Sequence, residues 1–223
     1  MMKLLLTSGG IMNSLMEKEI IALTKKPASK LRVAFIPTAA NVEDGDKHWL
    51  IDDLQSLISM GIGMIDVVDI SALPRDIWEK RLRKADVLEF GGGNTFHLMY
   101  WIRKSGLDKI LEDLLKKKLY IGISAGSIVT NPTLLLSRKE PLDPQFYSEE
   151  IGWVQDDTGL NFVDFYIRPH FNNPHFRDIT YENIKKRSEG INAPVYLIDD
   201  QTAISVNGKK IRVVSKGTYH IFQ

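Results

Sequence analysis

Five short apolar runs, each separated from the next by an amphipathic stretch, constrain this chain more than any other feature. Lys3 to Leu6, Arg32 to Ile36, Met64 to Val68, Asp86 to Phe90 and Tyr120 to Ile123 read as strands. Strands that are apolar on both faces and joined through helices pair in parallel and are covered on both sides. The intervening segments have helical spacing. Leu15 to Leu23 is expected to turn Ile20, Ala22 and Leu23 inward and to end at Lys25-Lys26-Pro27, a basic last turn followed by a breaker. Trp49 to Met60 places Leu50, Leu54, Leu57 and Ile58 at i, i+4, i+7 and i+8, with Gly61 as the stop. Ile77 to Leu82, Phe96 to Ile102 and Leu107 to Leu115 complete the set.

The second half changes character. Pro132 to Asp157 mixes prolines, aromatics and acids without a period and reads as loop with short extended pieces. Phe165 to Arg168 reads as a strand and Ile179 to Lys186 as a helix. Val195 to Ile198, Ala203 to Val206, Ile211 to Val214 and Tyr219 to Phe222 read as short strands, with Asn207-Gly208 as a hairpin turn. No repeat or linker divides the chain. The expectation is one α/β domain over residues 1–223, a mostly parallel sheet with helices on both faces and a β-rich C-terminal edge. That edge is compatible with a homodimer.

Composition narrows the function. The 223 residues are enough to bury about 70% of the surface of the unfolded chain. Lys plus Arg is 29 and Asp plus Glu is 28, a net charge of +1, so no global field draws the chain to nucleic acid or an anionic membrane. With no cysteine there is no disulfide, no thiolate metal site and no cysteine nucleophile. Leu4-Leu5-Leu6 is too short for a signal segment, and no run approaches the ~20 apolar residues of a membrane span. A soluble, cytoplasmic protein is expected.

Two motifs carry chemistry. Gly122-Ile123-Ser124-Ala125-Gly126 fits G-x-S-x-G, in which a strand delivers a serine to a sharp turn and a helix begins at once. The Ala125 N–H then faces a substrate carbonyl oxygen. Gly91-Gly92-Gly93-Asn94-Thr95 follows the fourth strand and exposes backbone N–H groups where a helix opens, a geometry suited to an oxyanion or a phosphate. It lacks the G-x-G-x-x-G spacing of a dinucleotide site. Taken alone, each motif is also what an ordinary tight turn looks like. Together they gather at the carboxyl ends of strands, where ligands of such sheets bind.

A nucleophilic serine needs a base, and a base needs an orienting acid. Of five histidines, His170 directly follows an apolar strand, whereas His175 lies further into the loop. A His170/His175 pair is weak as a metal site, since no third ligand accompanies it. Asp199 and Asp200 end a strand on opposite faces, so at most one faces the site. Glu140, Asp143 and Asp164 compete for the role.

Gly91 to Phe96, Tyr120 to Ser127 and Pro169-His170-Phe171, in this order, resemble the peptidase E family of serine aspartyl dipeptidases and their cyanophycinase relatives. The resemblance runs from Leu4-Leu5-Leu6-Thr7-Ser8 to the Asn207-Gly208 hairpin. It implies a class-I-glutamine-amidotransferase-like, flavodoxin-like sandwich. It makes Ser124 the nucleophile and His170 the general base, and it assigns the oxyanion donors to Gly92, Gly93 and Ala125. It implies neither metal nor organic cofactor, and a small peptide as substrate. Asp200 aligns with a carboxylate of the relatives, whereas the dipeptidases' own acid, about 15 residues after the serine, falls near Lys139, next to Glu140. The dipeptidases' substrate-holding arginine lies on the helix after the histidine, and the matching stretch here is Asp178 to Glu182, with Arg177 just before it. Asn94, Asn172 and Arg177 are the expected substrate-binding residues. An α/β-hydrolase esterase would order its triad serine, acid, histidine, unlike the order here. A non-catalytic module that holds a small anion is the remaining alternative.

Overall fold

In a computed structural model of the chain, residues 1–138 and 156–222 are described. The expected parallel sheet is present. β1 (Lys3–Thr7), β2 (Arg32–Ile36), β3 (Met64–Val67), β4 (Val87–Phe90) and β5 (Leu119–Ile123) pair in parallel in the order β3-β2-β4-β5-β1. β8 (Thr202–Asn207) and β9 (Lys210–Ser215) extend it antiparallel beyond β1. Asn207 pairs with Lys210 inside the ladder, so the hairpin turns on Gly208-Lys209 rather than on Asn207-Gly208. Gly208 supplies the left-handed φ of 61° that the turn requires.

The absence of alternation in these strands reflects burial on both faces. In β1, Leu4 and Leu6 enter one apolar cluster with Ile36, Leu88 and Phe90, while Leu5 enters another with Val33, Phe35, Ile121 and Ile123. Helices α1 (Ser14–Thr24) and α2 (His48–Ser59) cover the second cluster. Helices α3 (Arg75–Lys84), α4 (Thr95–Lys104), α5 (Asp108–Leu115) and the short α6 (Ala125–Ile128) cover the first. α1 starts where the Asn13 carboxamide accepts from Leu15 and Met16 N–H, and it stops at Lys25 in the left-handed region. Ala22 is exposed, contrary to expectation. The inner face of α1 is Met16, Glu19, Ile20 and Leu23, and a residue two positions from Ile20 points away from it. Ile58 is also exposed, so the apolar stripe of α2 is narrower than the spacing predicts.

The C-terminal strands do not all join one edge. β6 (Tyr166–Arg168), β7 (Val195–Ile198) and β10 (Tyr219–Phe222) form a separate sheet in the order β10-β7-β6, with β6 and β7 parallel. Period-two alternation divides its residues. Ile167 and Ile198 pack into the core of the main sheet, while Tyr166, Val195 and Leu197 pack with Ile184 of α7 (Tyr181–Arg187).

One fully buried side chain fastens the small sheet to the large one. Asn131, just after α6, accepts from the Ile167 N–H at 3.0 Å and donates to the Ile167 carbonyl at 3.3 Å. Its amide thus completes the free edge of β6 as a further strand would. Asn131→Leu keeps the volume but strands both backbone groups of Ile167, at about 1–3 kcal/mol each. Urea denaturation is expected to show a loss of about 2–6 kcal/mol; an unchanged midpoint would mean that the two sheets are held by other contacts.

Candidate active site

β5 delivers Ser124 to a turn with φ 48° and ψ −106°, a backbone conformation a side chain rarely adopts. Space dictates the flanking glycines. A Cβ on Gly122 would lie 2.5 Å from the Gly126 carbonyl oxygen, and one on Gly126 would lie 2.1 Å from that of Phe90. Hydrogen bonds hold the turn from several sides. The Ser124 N–H donates to the Thr7 carbonyl at 3.1 Å, as does the Ser127 hydroxyl at 2.7 Å. The Tyr120 hydroxyl donates to the Gly126 carbonyl at 2.6 Å.

His170 reaches this turn from the small sheet. It follows β6 and Pro169, also in the left-handed region at φ 67°. Its Nε2 lies 2.8 Å from Ser124 Oγ, and its Nδ1 lies 2.9 Å from Asp200 Oδ1. Asp200 follows β7. Ser8, just beyond β1 and fully buried, donates its hydroxyl to Asp200 Oδ1 at 2.5 Å and accepts from the His170 backbone N–H at 2.8 Å. Asn173 donates to Asp200 Oδ2 at 2.6 Å. Gly9 makes room for the carboxylate, since a Cβ there would lie 3.0 Å from that of Asp200. Burial pushes the Asp200 carboxyl upward, but the hydrogen bonds from His170, Ser8 and Asn173 outweigh it and leave the pKa at about 2. The site therefore gathers at the carboxyl ends of two sheets rather than one.

The glycine turn stands beside Ser124. Gly93 has φ 122°, and a Cβ there would strike the Ala39 carbonyl at 2.3 Å. At Gly92 the same addition would lie 3.5 Å from Ser124 Cβ and 3.7 Å from the Trp49 indole. Among the described residues, the N–H groups of Gly92, Gly93 and Ala125 donate to no other group.

Other expected site residues have different surroundings. The Asn94 carboxamide oxygen caps α4, accepting from Phe96 and His97 N–H at 3.0 Å each. Asn172 is an exposed turn residue at φ 57°, and Arg177 is exposed on the same loop. His175 is exposed. Asp199 turns away and accepts from Gln201 N–H, the Thr202 hydroxyl and Thr218 N–H. Asp164 is exposed before the start of β6. Glu140 and Asp143 lie outside the described residues. Sequence reasoning passes over Ser8, Asn173, Trp49 and Phe176. Only Ser8 carries a positional signal, a polar residue at the carboxyl end of a buried strand. Among the described residues, no three carboxylates or histidines group to hold a metal ion.

Two further acids lie beneath the site. Glu89 of β4 is fully buried, Asp53 of α2 nearly so, and a Cβ on Gly10 would lie 2.6 Å from Asp53 Oδ1. Burial, and then the charge of Asp52, push the Asp53 pKa up to about 8. Burial, and then Asp53, raise Glu89 well above the usual range.

With fold and geometry in hand, comparison with known proteins places the chain. Its sequence matches Peptidase family S51 over residues 4–214. It is 32% identical over 198 residues to an uncharacterized peptidase of Listeria monocytogenes, Lmo0363, spanning 87% of this chain and 92% of that one. It is 28% identical over 206 residues to peptidase E of a Nostoc species, spanning 88% and 77%. A crystal structure of a Listeria monocytogenes protein, described provisionally as a peptidase E, superposes with a TM-score of 0.76 at 30% identity, covering 97% of this chain and all of that one. The chain belongs to peptidase family S51. It is a peptidase of the peptidase E group, and its layers agree with a class-I-glutamine-amidotransferase-like, flavodoxin-like architecture.

The carboxyl groups make opposite contributions to stability. Asp200 ionises more readily folded than unfolded, so its contribution is present above about pH 4 and is lost as pH falls through about 2. Asp53 keeps its proton up to about pH 8 when folded but releases it near pH 4 when unfolded, so stability declines as pH rises across that span. Melting temperatures measured from pH 2 to 9 are expected to show Asp53→Asn flattening the decline between pH 4 and 8. Asp200→Asn is expected to be destabilised at pH 7 and to converge on the wild type near pH 2. Profiles parallel to the wild type would contradict both assignments.

Proposed function

We propose that this chain is a serine-type peptidase that hydrolyses small peptides through Ser124, His170 and Asp200. One observation carries the reading: an unbroken hydrogen-bonded chain from Ser124 Oγ through both ring nitrogens of His170 to Asp200. That is the arrangement a serine nucleophile needs, since the base must reach the hydroxyl and the acid must fix the base's tautomer. Ser124 Oγ attacks the scissile carbonyl carbon as its proton passes to His170 Nε2. The tetrahedral oxyanion accepts from the unengaged N–H groups of Gly92, Gly93 and Ala125. His170 then gives its proton to the leaving amine, the C–N bond breaks and an acyl-enzyme remains. A water, deprotonated by the same histidine, releases the acid and restores Ser124. Asp200 stays ionised throughout and stabilises the imidazolium. An N-terminal aspartyl preference would draw on Arg177, the cation in the stretch after His170. The lack of cysteine, together with the lack among the described residues of any helix long and apolar enough to cross a membrane, fits a cytoplasmic enzyme.

Ser124→Ala is expected to fold normally and to lose on the order of 10⁶ in kcat, as removal of a serine nucleophile does. It should also lose labelling by a fluorophosphonate; a wild-type protein that is folded yet never labelled would favour the anion-binding module instead. His170→Ala should be nearly as damaging and His175→Ala nearly silent. Asp200→Asn should lose up to ~10⁴ in kcat, because the imidazole can then take the wrong tautomer, while Asp199→Asn should lose far less. Steady-state kinetics on the purified variants decide these. Retention of a tenth of wild-type turnover in Ser124→Ala would remove Ser124 from the mechanism.

A further inference from the structure

Of the exposed large aromatic side chains among the described residues, Phe176 and Trp49 stand beside the reacting groups. Phe176 keeps 40% of its surface exposed while its ring stacks on His170, with centroids 4.0 Å apart and planes 4° apart. Trp49 keeps 36% exposed, and its indole and the Ser124 Cβ both border the space that a Cβ on Gly92 would fill. Neither ring is needed to close the core: neither belongs to the buried clusters that fill the two faces of the main sheet or the outer face of the small one. Apolar rings left in water beside a reacting centre are what a site uses to hold an apolar part of its ligand.

We infer that the site prefers peptides whose residue after the scissile bond is apolar, best aromatic, and that Phe176 is the specificity residue that holds it. This rests on the serine-peptidase reading above. His170 Nε2 must come within hydrogen-bond distance of the leaving nitrogen to protonate it. That places the α-carbon of the leaving residue one bond beyond this nitrogen, beside the imidazole. A side chain of three or more carbons there reaches the exposed part of the ring stacked on His170. Trp49 stands beside Gly92 of the glycine turn. A carboxylate in the leaving position would meet the negative face of the Phe176 ring and lose its hydration, so acidic leaving residues are disfavoured.

The test compares kcat/KM for Ala-Phe, Ala-Ser and Ala-Asp, with fluorophosphonate labelling of Ser124 run in parallel. One methylene more or less in an apolar pocket changes kcat/KM by roughly 10–200-fold, so Ala-Phe is expected to lead Ala-Ser by at least about tenfold, with Ala-Asp last. Phe176→Ala should collapse the Ala-Phe to Ala-Ser ratio toward one. Phe176→Leu should keep most of it, because the contact needs an apolar surface. Loss of stacking on His170 lowers turnover of all three peptides together and leaves the ratio alone, so the ratio isolates specificity from positioning. Equal rates, a lead for Ala-Asp, or an unchanged ratio in Phe176→Ala would overturn the assignment. Cleavage of none of the three by a protein whose Ser124 is labelled would overturn this substrate class and leave the serine chemistry standing. An unlabelled Ser124 would overturn the underlying reading itself.

Discussion

The contact between the Gly126 α-carbon and the Phe90 carbonyl is the constraint on which the site depends. It lets α6 begin in the turn immediately after β5, so Ser124 stands at φ 48° instead of continuing the strand. A non-glycine residue in that region stores on the order of 1–3 kcal/mol of strain. The surroundings offset it: the Thr7 carbonyl accepts from both the Ser124 N–H and the Ser127 hydroxyl, and Tyr120 anchors Gly126. Three neighbouring strands, β4, β5 and β1, thereby meet at one turn, and the serine is fixed by backbone contacts rather than by its own side chain.

The second half of the site depends on a joint between two sheets. His170 and Asp200 extend from β6 and β7, which share no ladder with the strand that carries Ser124. Asn131 closes the distance by binding Ile167 three residues before His170, and Ser8 closes it again by holding His170 and Asp200 at once. Each functional group therefore follows the end of a rigid strand, which gives tighter geometry than a mobile loop does. The network that orients Asp200 also keeps it ionised. Three donors converge on a carboxylate that burial alone would protonate.

Asp53 and Glu89 run against this economy. Both are buried carboxyl groups held in the protonated form near neutral pH, and their cost falls on stability. Asp53 sits under Gly10, which follows the Ser8 and Gly9 that shape the Asp200 pocket.

Much of this was legible in the chain itself. Runs such as Leu4-Leu5-Leu6 and Val33 to Ile36 had to be buried on both faces, because a strand with no polar side has no face for water, and that pointed to the parallel, helix-covered sheet. Gly122, Ser124 and Gly126 marked their own turn, since only glycine fits where a Cβ would fall 2.1–2.5 Å from a carbonyl oxygen. Position after a strand also singled out His170, and alternation split Asp199 from Asp200. What the sequence left open was everything set by contacts between distant segments. The choice of Asp200 over Glu140 drew on resemblance, and it was the tertiary structure that placed the carboxylate against His170. The separate three-stranded sheet, the Asn131 joint and the stacking of Phe176 on His170 leave no periodic trace, because each depends on how two sheets pack rather than on what neighbours each residue along the chain. Ser8 shows the difference most clearly. It lies 162 residues from His170 and 192 from Asp200, and only the folding of β1 between β5 and β8 brings its hydroxyl to both.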